Sequence, residues 1–498
     1  MAAAQQIVRG TVTDRNGIPL ATSRIADLQA QAKALTELGV SPADVCPASA
    51  TRCYPFAGLT YHLLGDWRTH VNWAAANTSF IERDYDSRLR GYDDHARVVE
   101  VLDPLTGRKT KEIRRDLIEL VPLLRHRNDP NHEQVRRILD RPRDVRLALD
   151  IRFQLKVAAA LKAGVERAGQ KEGAAVVLSQ AGDLLASVSY PWPVMPPGLG
   201  VKPVGDTARD DPDSRLLDRA RYGMYPPGSS FKLVTAAAAL RKDPSLAQES
   251  FTCERLRDGR VGKQLPGWTR PIRDDEADTS PHGTLAMERA LIVSCNAYFA
   301  QLGLRLGAPA LQETAALLEI SLGQPESAKQ VRDTLPFAAY GQGQVLATPF
   351  KMARVAAMIG GGGAMPQGRW VIDETNRRTD APRPVLGPAQ ARELAATMRR
   401  VVVEGTGRSV KGIEPAIAGK TGTAEVQDEP SHSWFVGFAP FGPAAPAPAG
   451  NSAPGTQADP TTRISFAVLI EHGGYGGSAA APVAGDIVTA ARSLRIIQ

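Results

Sequence analysis

The sequence predicts an α+β fold in two regions, and three observations carry that expectation. At 498 residues the chain exceeds one ordinary domain. From Val145 onward it opens strand–helix–strand–strand, which suits a sheet with helices packed on it. Before that point short strand-like pieces, loops and aromatic patches (Tyr54, Phe56, Tyr61, Trp67, Trp73) mix without such order. The polar stretch Arg125–Arg143 divides the two. We expect an N-terminal domain over 1–143 and a second domain over 144–498.

In the first region, Asn16-Gly17 between two β-type runs in 7–22 predicts a hairpin. Residues 24–38 carry apolar positions at helical spacing (Ile25, Leu28, Ala32, Leu35, Leu38) and predict one helix. Arg97–Leu102 reads as a strand, and Glu112–Leu124 as helical. Cys46 and Cys53 flank a short loop; they are either a disulfide, which suits an oxidising compartment, or two free thiols.

In the second region, Val145–Asp150 reads as a strand and Gln154–Ala168 as an amphipathic helix. Gly173–Ser179 and Leu184–Ser189 read as a strand pair around the turn Gln180–Asp183. Residues 191–215 should be loop. A Pro-Pro-Gly turn runs into an Ala-rich helix starting at Ser229. A charged, loop-rich insert spans about 243–281. One helix is expected over Leu285–Leu306, with Ser294-Cys295-Asn296 inside it, and others over Pro309–Leu318, Met352–Ile359, Gln390–Glu404 and Ala479–Leu494. The Met352–Ile359 helix stops at Gly360–Gly363, as a glycine-terminated helix should. Strands are expected at Ile417–Glu425, Trp434–Ala439 and Ile464–Glu471, with a flexible Pro/Ala/Gly-rich loop at 440–462.

Composition narrows the function. The net charge of +7 is a mild basic excess, mixed with acidic residues along the chain. No basic run is interleaved with aromatics as in a nucleic-acid groove, so no nucleic-acid partner is expected. The four cysteines and eight histidines show no zinc-ligand spacing, so no metal and no cofactor are expected. No run of 18 or more apolar residues exists to span a membrane, and no signal peptide is visible.

Three short motifs stand in order within the second region: Ser229-x-x-Lys232, Ser294-x-Asn296 and Lys420-Thr421-Gly422. Each is weak alone. Together they arrive at a helix start, a helix and a strand, the settings such a set requires. A spacing of three puts Ser229 and Lys232 on one helix face, so a hydroxyl lies beside an amine. That pair makes a nucleophilic serine if the lysine is partly neutral. Burial and a neighbouring cation both depress a lysine, and Lys420 is the cation within reach of the argument.

With these motifs the sequence resembles the penicillin-binding proteins, specifically the monofunctional class B D,D-transpeptidases. The likeness extends to Arg9-Gly10, Asp14–Gly17 and Leu20-Ala21, as in that family's pedestal. It includes Leu149-Asp150 with Gln154, Gly173–Leu178, His282-Gly283, Gly341–Gln344, Thr348-Pro349, Gly419–Glu425 and Trp434–Phe438. Over 40–140 it is thin, with Tyr54-Pro55, Leu64-Gly65 and Leu89–Gly91 its best pieces. The resemblance implies a penicillin-binding, serine β-lactamase-like transpeptidase domain: an antiparallel sheet flanked by helices plus an all-helical subdomain. An elongated mixed pedestal, dimerisation-like and partner-binding, would precede it.

The resemblance also implies roles. Ser229 is the acyl-accepting nucleophile and Lys232 its base. Ser294 relays a proton to the departing amine, and Asn296 holds the substrate's amide backbone. Lys420, Thr421 and Thr423 receive a terminal carboxylate, and Gly422 lets the substrate backbone approach the strand. The backbone N–H groups of Ser229 and Thr423 form the oxyanion hole. The implied substrates are D-Ala-D-Ala stem peptides, with β-lactams as covalent inhibitors and a membrane glycan polymerase of the SEDS type as a partner through the pedestal. The implied place is the periplasmic face of the inner membrane, with the N-terminal anchor absent from this chain.

Other readings stand beside this one. A catalytically vestigial scaffold of the division or elongation machinery would keep the pedestal and lose the chemistry. A serine β-lactamase lacks support because no Glu-x-x-Leu-Asn loop is present. A D,D-carboxypeptidase shares the chemistry but not the long N-terminal region. A bifunctional enzyme would need room for a glycosyltransferase domain. Among residues with plainer readings, Cys295 is expected as a small buried residue, Gly341–Gln344 as a structural turn, and Trp434 and Phe435 as sheet core.

Overall fold

The structure is a computed structural model. It describes residues 7–66, 79–102, 104, 107–195, 213–323, 328–372, 381–442 and 463–498. Trp67, Trp73 and most of the expected loops at 191–215 and 440–462 lie outside these. The chain forms two compact units. One holds the described residues of Met1–Leu147, Pro193–Gly205 and Val371–Thr375; the other holds those of Ala148–Trp192, Asp206–Trp370 and Asn376–Gln498.

The first unit is built on a small sheet. Val12–Thr13 pairs antiparallel with Pro19–Ala21 and parallel with Val145–Arg146. Its turn forms because Asp14 Oδ1 accepts the N–H groups of Asn16 (2.8 Å) and Ile18 (2.9 Å), while Gly17 takes φ +82°. Beside it Glu82 is fully buried between Arg9 (2.7 Å) and Arg52 (2.8 Å). Cys46 and Cys53 are joined as a disulfide.

Local readings here needed revision. The helix expected over 24–38 is two, Ile25–Ala30 and Ala32–Glu37, interrupted at Gln31. The helix expected over Glu112–Leu124 begins instead as a strand. Lys109–Arg114 pairs along its whole length with Arg97–Leu102, and helical backbone starts only at Ile118. Six consecutive cross-strand pairs outweigh the helix propensity of Glu112 and Arg114.

The second unit is organised around a five-stranded antiparallel sheet. Its order is Ala418–Val426, Glu429–Ala439, Ile464–Ile470, Gly173–Ser179, Leu184–Tyr190. Every residue of Ile464–Ile470 and Gly173–Ser179 is buried, so helices cover both faces. Ile151–Arg167 packs on Leu184–Tyr190 and on Ala480–Ser493, while Pro349–Gly360 packs on Ile464–Ile470. Gly164 permits the contact with Ala480–Ser493: a Cβ there would stand 2.2 Å from Val483.

Two expectations change and a third gains detail. The strand expected over Val145–Asp150 is only Val145–Arg146, and it pairs in the first unit. Asp150 instead caps the following helix, accepting from the N–H groups of Arg152 (3.0 Å) and Phe153 (3.3 Å). The insert at 243–281 is loop-rich, as expected, but also carries three short strands. With Gly283–Leu285 it forms a four-stranded antiparallel sheet, in the order Ile272–Arg273, Val261–Lys263, Phe251–Arg255, Gly283–Leu285. The helix expected over Leu285–Leu306 is broken: Met287–Val293 ends at Ser294, which takes φ +62°, and Asn296–Leu306 starts anew. A helix at Ala328–Ala338 carried no sequence reading.

Candidate active site

Ser229 sits in a 3₁₀ turn, Gly228–Phe231, that leads into the Lys232–Lys242 helix. Several contacts fix this turn. The Tyr225 N–H donates to the Ala347 carbonyl (3.1 Å) and the Gly228 N–H to the Gly341 carbonyl (3.0 Å). The indole of Trp434, a fully buried side chain, donates to the Pro226 carbonyl (3.0 Å). Gly228 takes φ +51°, and a Cβ there would stand 2.4 Å from the Thr423 carbonyl oxygen. The Ser229 turn therefore lies directly against the Lys420-Thr421-Gly422 strand, and only glycine allows that approach.

Lys232 is fully buried. Its Nζ donates to Ser229 Oγ (3.0 Å), Ser294 Oγ (3.2 Å), Asn296 Oδ1 (2.7 Å) and the Ser294 carbonyl. Lys420, also fully buried, donates from Nζ to Ser294 Oγ (2.8 Å) and to the Thr421 carbonyl (2.9 Å). A continuous line of polar contacts results: Ser229 Oγ, Lys232 Nζ, Ser294 Oγ, Lys420 Nζ. The left-handed backbone at Ser294 produces it, because the break turns both its carbonyl and its hydroxyl toward Lys232.

Burial depresses Lys232 from 10.5 to about 8, with the carboxylate of Asp274 as the leading opposing influence. Lys420 is held well below 10.5 by burial and then by repulsion from Lys232. Burial is the leading cause for both lysines, and the repulsion between them adds to it at Lys420.

The remaining predicted residues fall into place with two differences. Thr421 is buried and exchanges a hydrogen bond with Thr406 (2.5 Å), a residue that no motif had marked. Thr423 is half-buried on the same strand, paired opposite Ser433. Asn296 is engaged at both ends: Oδ1 accepts from Lys232, and Nδ2 donates to the Arg273 carbonyl (2.9 Å). Gly422 was expected to make room for substrate. A Cβ there would meet the protein itself, 2.9 Å from both the Pro227 carbonyl oxygen and Trp434 Cβ. Its smallness seats the Ser229 turn against the strand.

A cavity of about 580 Å³ is lined by Trp268, Arg270, Arg273, Phe337, Tyr340 and Glu425 among others. Arg273 and Glu425 connect it to the site, since Asn296 bonds the Arg273 carbonyl and Glu425 continues the lysine strand. Cys295 is buried as expected, and its Sγ also accepts from the Tyr298 N–H (3.3 Å) to cap the second helix. Gly341 is structural, as expected, with φ +83°. One cluster lies outside the sequence reading. Cys253, Asp274, His282 and Cys295 offer four metal-ligand atoms that all lie within 4.8 Å of one another. Spacings of 21, 8 and 13 residues hid this set from any ligand pattern.

Residues 173–445 match the family described as "Penicillin binding protein transpeptidase domain". The chain is 30% identical over 313 residues to the peptidoglycan D,D-transpeptidase PbpA of Mycolicibacterium smegmatis, covering 57% of this chain and 58% of that protein. It is 25% identical over 490 residues to the peptidoglycan D,D-transpeptidase MrdA of Acinetobacter baumannii, covering 86% and 64%. Among solved structures it is similar to penicillin-binding protein A from M. tuberculosis as a ceftriaxone acyl-enzyme complex. That likeness has a TM-score of 0.67 at 23% identity, over 99% of this chain and 100% of the other. The matched part thus spans less than two thirds of the length of these curated relatives. The chain belongs to the penicillin-binding protein transpeptidase family, in its class B.

Proposed function

We propose that this protein is a serine D,D-transpeptidase that cross-links peptidoglycan stem peptides through an acyl-enzyme on Ser229. The observation that carries the reading is the unbroken contact line from Ser229 Oγ through Lys232 and Ser294 to Lys420. Neutral Lys232 takes the Ser229 proton as Oγ attacks the carbonyl of the penultimate D-Ala. The N–H groups of Ser229 and Thr423 face the oxyanion that forms. Ser294 passes a proton to the terminal D-Ala nitrogen as its C–N bond breaks. An amine of a second stem then attacks the ester, Lys232 takes that amine's proton, and Ser229 leaves with a proton restored.

Lys420, Thr421 and Thr423 receive the terminal carboxylate, whose negative charge favours the protonated form of Lys420. Asn296 steadies Lys232 and exchanges the Arg273 carbonyl for the substrate amide. β-Lactams present the same carbonyl and carboxylate and stop at the ester, as the ceftriaxone acyl-enzyme of the M. tuberculosis relative does.

Residues 144–498 serve as the transpeptidase domain and 1–143 as a pedestal that binds partners, a SEDS-type glycan polymerase among them. Among the described residues no helix is long and apolar enough to cross a membrane. The substrate places the domain outside the cytoplasmic membrane, and the Cys46–Cys53 disulfide suits an oxidising compartment.

The test is exchange. Given a D-Ala-D-Ala stem peptide and a labelled D-amino acid acceptor, the protein should incorporate label in step with D-Ala release, and Ser229→Ala should do neither. D-Ala release without incorporation would point to a carboxypeptidase, and no release at all to a scaffold.

A further inference from the structure

The cavity of about 580 Å³ beside the Ser229 site takes no part in the acyl-transfer steps. One row of its lining is aromatic. Trp268 meets Phe337 edge-on, with ring centroids 6.1 Å apart, and Phe337 meets Tyr340 at 6.2 Å. Five charged side chains also line it, and their pairing separates them. Arg260 pairs with Glu276 (2.8 Å), and Arg273 pairs with Asp258 (2.9 Å). Arg270 and Glu425 make no ion pair and no side-chain hydrogen bond among the described residues. The Arg270 guanidinium stands over the Phe337 ring, 5.8 Å from its centroid. Both charges reach the Tyr340 hydroxyl: burial leads in raising it, Glu425 adds to the rise and Arg270 opposes it. Two unmatched charges of opposite sign on one aromatic-lined cavity fit a ligand group that carries both signs.

The direction of the Ala418–Val426 strand fixes which part of a stem peptide reaches them. In the acyl-transfer reading above, on which this inference rests, the terminal carboxylate lies at Lys420 and Thr421 and the attacked carbonyl at the Thr423 N–H. A stem laid along the strand in extended form therefore runs on from Thr423 toward Glu425, at about 3.3 Å per residue. Glu425 is the second residue after Thr423, and it is exposed. The rest of the cavity is tied to the same site. The Arg273 carbonyl accepts from Asn296 Nδ2 (2.9 Å), and Gln342 follows Gly341, whose carbonyl accepts from the Gly228 N–H (3.0 Å). The residue before D-Ala-D-Ala thus brings its side chain to the cavity. Donor and acceptor are the same kind of stem, so the donor also carries the side-chain amine that the acceptor uses.

We infer that Arg270 and Glu425 are specificity-determining residues for the donor stem: Glu425 takes the side-chain amine of the residue before D-Ala-D-Ala, and Arg270 takes a carboxylate at the same side-chain end. Trp268 and Phe337 cover the methylenes that lead there. A side chain ending in an amine alone, as in lysine, leaves Arg270 unmatched. An amidated carboxylate loses the paired, charge-assisted bonds that a guanidinium makes. Contacts made this far from the reacting carbonyl help to hold it against Ser229 Oγ.

The test uses the whole chain and three synthetic donor peptides ending in D-Ala-D-Ala. The preceding residue is meso-diaminopimelate, its side-chain amide, or L-lysine. Binding is read by calorimetry on Ser229→Ala, which needs no turnover, and reaction as kcat/KM for D-Ala release by wild type. The diaminopimelate stem should bind and react about tenfold better than the other two. Arg270→Ala, added to either protein, should remove that preference, and Arg270→Lys should restore part of it. Acetylating the side-chain amine of the diaminopimelate stem should weaken binding about tenfold, and Glu425→Gln should erase that difference. Both residues are exposed, so these changes leave the fold in place, which thermal melting checks. Equal affinity of Ser229→Ala for the three stems, or a preference that survives Arg270→Ala, would overturn the assignment. So would a preference seen only when the stems serve as acceptors, with binding and D-Ala release alike for all three donors. Selective binding by Ser229→Ala without D-Ala release by wild type would uphold the donor pocket and sink the transpeptidase reading instead.

Discussion

Replacing Lys232 by Arg, and scanning the wild type across pH, tests the base directly. Lys232 is depressed from 10.5 to about 8, chiefly by burial. At pH 7 the neutral fraction is then about one in ten, against roughly one in 3,000 for an ordinary lysine. That ratio of about 300 corresponds to about 3 kcal/mol made available to the proton-transfer step. Arg keeps the charge and much of the reach, but its guanidinium does not deprotonate. The assay is the second-order rate of acylation by a fluorescent penicillin between pH 5.5 and 9.5. Because the neutral lysine is the active form, the rate should climb about tenfold per pH unit below 8 and level off above it. Lys232→Arg should lose at least about two orders of magnitude, in line with the general-base contribution. A flat wild-type profile from pH 6 to 9, or an Arg variant with the wild-type rate, would refute the role given to burial.

Three further outcomes follow from the packing. Gly422→Ala places a Cβ 2.9 Å from Pro227 and Trp434, so thermal melting should show a loss of about 1–3 kcal/mol as well as slower acylation; an effect on substrate affinity alone would return Gly422 to a substrate role. Trp434→Phe removes the donor to the Pro226 carbonyl and should cost about 1–3 kcal/mol, with acylation slowed by a looser nucleophile turn. In the first unit, burial alone would raise Glu82, but Arg52 and Arg9 overrule it and hold the carboxyl below 4.5. Its stabilising contribution is complete above 4.5 and is lost as pH falls through the depressed folded value. Glu82→Gln, which leaves Arg52 buried without its partner charge, should cost about 3–5 kcal/mol at neutral pH and flatten that acid dependence in thermal melts.

The catalytic motifs were legible because each is short and sits where local sequence fixes its backbone: a Pro-Pro-Gly turn before a helix, and a Gly-rich strand. The central sheet was legible for a related reason, since its strands are long apolar runs bounded by turns. The break at Ser294 was not, because the apolar helical period runs straight through it and a left-handed serine has no sequence signature. What compels it is tertiary: Asp274 and Lys232 hold the N–H groups, carbonyl and hydroxyl that the break exposes. The four-stranded insert was hidden by its charged residues, and Lys109–Arg114 by good helix formers, so in both places pairing partners decided the structure. Gly422 was read for substrate because a sequence cannot show that Pro227 and Trp434 already occupy the space. The sequence suggested a neighbouring cation as a cause of a depressed Lys232, but the burial that depresses both lysines is supplied only by the fold.

The most direct measurement of the account is the mass of the intact protein after brief exposure to penicillin. The account predicts a long-lived one-to-one adduct that maps by peptide digestion to Ser229 and is absent from Ser229→Ala. An adduct elsewhere, none at all, or one that clears within seconds would contradict it.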